Sequence, residues 1–134
     1  MKLPAHVLFR KEVSLLIWKP HGILDEALVN EIVAFLDAAE ERAQKPFNRF
    51  VDLSALDAVD LNFNFVFHIA LHRRFTFESH LPVKTAFYVT SFDTAYYLKL
   101  HAMLTDHSLL HVSLFTERDA AAKWLGVPVE ALRV

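Results

Sequence analysis

The sequence predicts a single α/β domain with a four- or five-stranded, mostly parallel sheet and about four helices. Three observations carry that expectation. Short apolar runs such as Phe50-Val51, Thr85-Ala-Phe-Tyr-Val-Thr90 and Leu110-His-Val-Ser-Leu-Phe115 alternate with longer stretches of helical period. Such alternation of strand and helix marks a sheet whose later strands run parallel. No repeat, low-complexity segment or linker divides residues 1–134. A chain of that length buries roughly two-thirds of the surface it exposes when unfolded, so its core needs no disulfide or metal.

His6 to Arg10 and Glu12 to Trp18 are two short apolar runs, read as paired strands or one bent strand, and Lys19-Pro20-His21-Gly22 ends them. Asp25 is placed to cap a helix running to about Gln44, with Leu28, Ile32, Phe35, Leu36 and Ala39 on one face. Pro46 precedes a central strand through Phe50 and Val51. The stretch from Asp52 to Asp60 mixes Ser, Ala and Asp with spaced apolar residues, as a strand end entering a loop would. From Asn62 two readings compete, because Phe63, Phe65 and Phe67 alternate like a strand. The absence of Gly or Pro up to Phe77 favours a helix. On that helix Asn64, His68 and His72 share one side, and the apolar arc is wide enough to be covered twice, once by the sheet and once by something else.

Leu81-Pro82 closes the second helix. Thr85 to Thr90 has the β-branched and aromatic content of a central strand. Ser91 or Asp93 starts a third helix with a stripe of Tyr97, Leu100, His101 and Leu104, and Asp106-His107-Ser108 breaks it. After the strand from Leu110 to Phe115, Thr116 with Asp119 three residues later resembles a capping box for a last helix carrying Ala121, Trp124 and Leu125. Gly126 and Pro128 stop it.

Composition narrows the function. Hydrophobic residues make up 54% of the chain, against about 45–50% in ordinary domains, and an oligomer interface or an apolar ligand pocket would absorb the surplus. The net charge of -2 comes with no basic run, which excludes nucleic acid as the expected partner. With no cysteine there is no disulfide, thiolate metal site or thiol nucleophile, as suits a reducing cytosol. No run approaches the ~18 apolar residues of a membrane span, and the start has no secretory apolar core. The expectation is a cytoplasmic, soluble protein.

Positive signals for chemistry are few. His68 and His72 stand four apart, as two ligands on one helical turn would, but no Glu or third His flanks them as in zinc-protease helices. They read as a polar stripe facing water or a symmetric partner, and no metal is assigned. Asp52, Asp57 and Asp60 read as turn residues and not as an acid/base group. The two glycines, Gly22 and Gly126, cannot build a phosphate loop, and Gly-x-Ser-x-Gly is absent. No catalytic residue and no cofactor is assigned. Phe63, Phe65, Phe67, Phe75 and Phe77 form, with Phe47 and Phe50, the densest aromatic cluster, and a single sheet would cover only about half of them.

Gly22-Ile-Leu-Asp25, Phe50-Val-Asp-Leu-Ser54, Lys84-Thr-Ala-Phe-Tyr-Val89, and Val112-Ser-Leu-Phe115 followed by Ala120, Ala121, Trp124 and Leu125 stand in an order that resembles the STAS (sulfate transporter and anti-sigma factor antagonist) domains. The likeness is greatest to their SpoIIAA-like branch of small free-standing bacterial proteins, and it runs from about Glu12 to the end. Anti-sigma antagonists carry an Asp eight residues after the strand Asp, then two Ser and a Gly, one Ser being phosphorylated. Here Asp52 and Asp60 keep the interval, but Leu61, Asn62 and Phe63 follow. A carboxamide cannot accept the phosphate that a hydroxyl does, so no phospho-switch operates at Asn62. Ser54, the nearest hydroxyl, reads as a turn residue.

What the resemblance and the aromatic surplus imply together is a non-enzymatic regulatory module that forms a homodimer. It would recognise a protein partner through Asp60, Asn62, Asn64, Phe65, His68 and His72. The alternative is a carrier or sensor of a small apolar, lipid-like ligand, suggested by the apolar excess and by the kinship of the SpoIIAA-like branch with lipid-transfer folds.

Overall fold

The computed structural model describes residues 3–43, 45–76, 81–106 and 108–133. Strands β1 (Val7–Arg10) and β2 (Leu15–Trp18) form an antiparallel pair around a 3-10 turn, Lys11–Val13, that closes with Ser14 in the left-handed region at φ 51°. β3 (Gly22–Asp25) leads into α1 (Glu26–Arg42), and the Asp25 side chain accepts from the Leu28 amide at 2.9 Å as the cap. β4 (Asn48–Asp52), β5 (Leu56–Asp60), α2 (Phe63–Thr76), β6 (Val83–Tyr88), α3 (Phe92–Leu104), β7 (Leu110–Phe115) and α4 (Arg118–Leu125) follow. A 3-10 turn, Val129–Leu132, ends the described chain.

The main sheet has the order β1-β2-β4-β6-β7, with β1 alone antiparallel to its neighbour. All four residues of β2 are buried, which follows from cover on both faces of the sheet and explains why Leu15-Leu-Ile-Trp18 reads as an unbroken apolar run. On one face Leu16, Trp18, Val51 and Leu53 pack against Ile32 of α1 and Leu98 of α3. On the other, Leu15, Ile17, Phe50 and Ala86 pack against Ala121, Ala122 and Leu125 of α4 and Leu132. Among the described residues α1, α2 and α3 thus share one face, and α4 with the final 3-10 turn takes the other. Leu15, Ile17 and Phe50 have no exposure at all, so truncating any of them to Ala is expected to cost about 2–5 kcal/mol.

Two expectations change. The stretch from Asp52 to Asp60 is not one loop: Leu56–Asp60 is a strand, paired in parallel with Gly22–Asp25 in a separate two-stranded sheet that sets Asp25 opposite Asp60. Spaced Asp and Ala residues hid it, because a short edge pair needs little apolar density. The capping box at Thr116 is not formed; Glu117 holds the cap position with no side-chain bond. Phe77, Gln44 and His107, expected to end elements, lie outside the described residues. Gly126 does close α4 as expected, at φ 75°, where a side chain would be strained. Among the described residues no helix is long and apolar enough to cross a membrane.

Candidate functional site

Between the sheet and α1, α2 and α3 the packing leaves a cavity of about 120 Å³. Its floor is the alternate residues of three parallel strands, Leu16 and Trp18 of β2, Val51 of β4 and Phe87 of β6. Period-two alternation puts these on one face while Leu15, Ile17, Phe50 and Ala86 serve the other. Val29, Ile32, Val33 and Leu36 of α1, Phe65, Val66 and Ile69 of α2, and Tyr97 and Leu98 of α3 complete the walls. Apolar side chains that border unfilled space lack dispersion partners there, a loss that a bound apolar group would recover.

One part of the wall is polar. Arg49 of β4 stands in register with Thr85 of β6; Arg73 of α2 and His101 of α3 join them on the lining. Both arginines are buried, at 1% and 4% exposure. They converge on Glu40 of α1, which accepts from Arg49 Nη2 at 2.5 Å and from both terminal nitrogens of Arg73 at 3.0 and 3.1 Å. Arg73 Nη1 also donates to Asp37 at 2.7 Å, and Asp37 takes His72 Nε2 at 2.7 Å on its outer side. Burial pushes the Arg49 guanidinium down to about 10 against the pull of Glu40, and Arg73 pushes the same way as burial. Arg49 therefore stays charged at neutral pH.

His101 is held neutral. Loss of solvent, followed by the positive charge of Arg73, lowers its pKa to about 4. Its ring meets the edge of Phe87 at 6.3 Å, perpendicular to it, and makes no hydrogen bond among the described residues. The Thr85 hydroxyl, on a residue 8% exposed, likewise has none among them.

The residues expected to bind a partner fall in a different place. Asp60 ends β5 and is exposed. Asn62 caps α2, accepting from the Phe65 amide at 2.9 Å, and its amide nitrogen lies 3.5 Å from Glu26. Asn64, His68 and His72 lie exposed along α2 as the wheel predicts, but His72 is tied to Asp37 and not to His68. Among the described residues no three His, Cys, Asp or Glu side chains gather as a metal site would require. Phe65 turns inward and lines the cavity. Phe63, Leu71 and Phe75 stay exposed at 53%, 45% and 75%. With Phe67, which stacks on Phe63 at 6.2 Å, they make a stripe at four-residue spacing on the outer side of α2.

Asp52, read as the first of the turn carboxylates, is 2% exposed at the end of β4. Burial raises its pKa, but the Ser54 hydroxyl at 2.6 Å, the Ser54 amide at 3.0 Å and Arg118 at 3.0 Å outweigh burial and hold it below the ordinary carboxylate value. Arg118 also lies over the Tyr88 ring, 4.3 Å from its centre. Ser54 thus seats a buried carboxylate beside the start of α4, a structural use of its hydroxyl.

The sequence reading missed Arg49, Arg73, Glu40, Asp37, Thr85 and His101 as a group. One signal was available: Arg49 interrupts an apolar strand, and Glu40 and Arg73 lie on the inner sides of α1 and α2, four residues after Leu36 and Ile69. Charges on core-facing positions occur almost only in pairs.

No family model matches this chain, and no curated protein matches it. Among solved structures it is similar to a protein from Shewanella loihica PV-4, described as an uncharacterized protein of the DUF3478 family with a SpoIIAA-like fold. The TM-score is 0.56 at 16% identity, over 93% of this chain and 98% of the other. This chain therefore has a SpoIIAA-like fold, as the order of its elements leads one to expect.

Proposed function

We propose that this protein is a non-enzymatic binding module that carries or senses a small apolar molecule in the cavity beneath α1, α2 and α3. The observation that carries this reading is the void itself, about 120 Å³ and walled mainly by apolar side chains. An engineered apolar cavity of about 150 Å³ in another protein stays dry and takes up benzene. The size favours one ring or a short chain and argues against a long-chain lipid, unless the helices part. Toluene or xenon titrated into the protein and followed by NMR tests it. Shifts confined to Val33, Val51, Ile69 and Leu98 support the reading, and an unresponsive core at saturation refutes it. Native mass spectrometry of protein purified without detergent adds a second check, since a carrier retains apolar mass.

A second reading has its own support in the outer stripe Phe63, Phe67, Leu71 and Phe75, together with Phe92, Tyr96 and Met103 of the neighbouring α3, exposed at 89%, 60% and 73%. Apolar side chains gathered at this density on adjacent helices favour self-association or a protein partner on that face. Asp60, Asn62, Asn64, His68 and His72 would then form the polar border of the contact. The two readings are compatible, because the cavity lies on the inner side of α2 and the stripe on its outer side.

A further inference from the structure

We propose that the ligand of the cavity is a small monocarboxylate whose acid group is received by Arg49, Arg73, Thr85 and His101, with its ring or short chain against the apolar wall. This deepens the cavity reading above and stands on it. The lining contains two guanidiniums, an imidazole, the hydroxyls of Thr85 and Tyr97 and the Trp18 indole, and not a single Asp or Glu among the described residues. The carboxylates that pair with the arginines sit behind the wall, Glu40 nearly buried and Asp37 toward the surface with 28% of its side chain exposed. Asp37 is also shared with His72 at the rim. The positive ends of the network therefore border the void, and its negative ends lie away from it.

The Arg73 guanidinium stands near enough to the His101 ring to oppose its protonation, after burial itself. The neutral imidazole and the Thr85 hydroxyl are polar groups at the cavity wall with no hydrogen bond of their own among the described residues, and each can donate. Fixed donors beside two guanidiniums match a carboxylate, which accepts through two oxygens. An isolated carboxylate in an apolar cavity would lose several kcal/mol of hydration; here the arginines offset that loss, whereas a cationic ligand would meet repulsion as well. Register adds precision, because Arg49 and Thr85 are cross-strand partners and present their side chains to the same end of the cavity.

Binding of benzoate and hexanoate, each paired with a neutral counterpart, benzamide and hexan-1-ol, tests the assignment by calorimetry and NMR, with toluene as the purely apolar probe. At least one acid is expected to bind about tenfold or more tightly than its neutral counterpart. The double substitution His101→Phe with Thr85→Val, which removes the imidazole and the threonine hydroxyl without adding a charge, is expected to cut the preference for the acid over its neutral counterpart by about tenfold. Toluene binding in the wild type with neither acid preferred overturns the carboxylate assignment and leaves the apolar cavity reading standing. Failure of all five probes in the folded wild-type protein overturns both. Should the double variant misfold, Thr85→Val alone and the wild-type preference between acid and neutral counterpart still decide the matter.

Discussion

Arg73 and Glu40 meet as two parallel forks, Nη1 to Oε1 at 3.0 Å and Nη2 to Oε2 at 3.1 Å, and this bidentate pair locks α2 to α1 across the mouth of the polar wall. Arg49 reaches the same carboxylate from the sheet, so one acid residue on α1 holds three elements in place. A buried charge deprived of its counter-charge is costly, whatever the pair as a whole contributes. Glu40→Gln takes the shared carboxylate from two guanidiniums and is expected to lower stability by about 3–5 kcal/mol, read from urea denaturation. A change below about 1 kcal/mol would show that the network is not what joins these layers.

His101 gives the fold a pH dependence of known sign. Its pKa is about 4 in the folded chain against 6.5 for an unperturbed histidine, so the unfolded state binds the extra proton. Stability is complete above pH 6.5, falls as pH drops through the interval down to about 4, and levels off below it for this group. The full span is worth roughly 3 kcal/mol. His101→Gln should flatten thermal stability between those limits; an unchanged slope would place the proton uptake on another group.

Asp52 acts lower on the scale. Its folded pKa lies below the ordinary 3.8, so the stability it contributes is present above that value and is lost as pH falls through the depressed one. Arg118→Ala removes one of the groups holding it down. Because the Arg118 side chain is 40% exposed, solvent screens its share, and a loss of about 1 kcal/mol near neutral pH is expected. Acid unfolding should start at higher pH in the variant, monitored by far-UV circular dichroism.

Filling the cavity should stabilise the protein and block it together. Val33→Phe projects from α1 into the void, and cavity-filling changes commonly gain about 0.5–2 kcal/mol. A higher melting temperature with loss of toluene binding is the expected pair of results. A destabilised variant would mean that the void is narrower than the ring that enters it.

The outer stripe makes a separate claim. If α2 and α3 associate with a second copy, sedimentation at micromolar concentration gives a dimer, and Phe75→Asp, on a side chain 75% exposed, converts it to a monomer with unchanged stability. Phe65→Asp would not serve, since Phe65 lines the cavity and its loss confounds association with folding. A wild-type monomer across that range removes the homodimer from consideration.

Local chemistry was enough to read much of this chain. Asp25 caps α1 and Gly126 closes α4 because those requirements are satisfied within a few residues; the apolar runs of Glu12 to Trp18, Phe50-Val51 and Thr85 to Thr90 mark β2, β4 and β6 as strands. The helical reading of Phe63 to Thr76 over the rival strand also follows from an unbroken stretch with Asn62 as its cap. Short range stops being informative at Leu56–Asp60, whose strand exists only because Gly22–Asp25 lies beside it. For the polar wall the chain offers only the hint of charges at core-facing positions, not their assembly. Residues 37, 40, 49, 73, 85 and 101 come from five different elements, and nothing in their spacing along the chain says that three helices gather on one side of the sheet. Sequence determined the caps, the apolar runs and the periods of strand and helix; only the packing of α1, α2 and α3 over β4 and β6 decided that two arginines and a neutral histidine would come together, around a space that the apolar side chains do not fill.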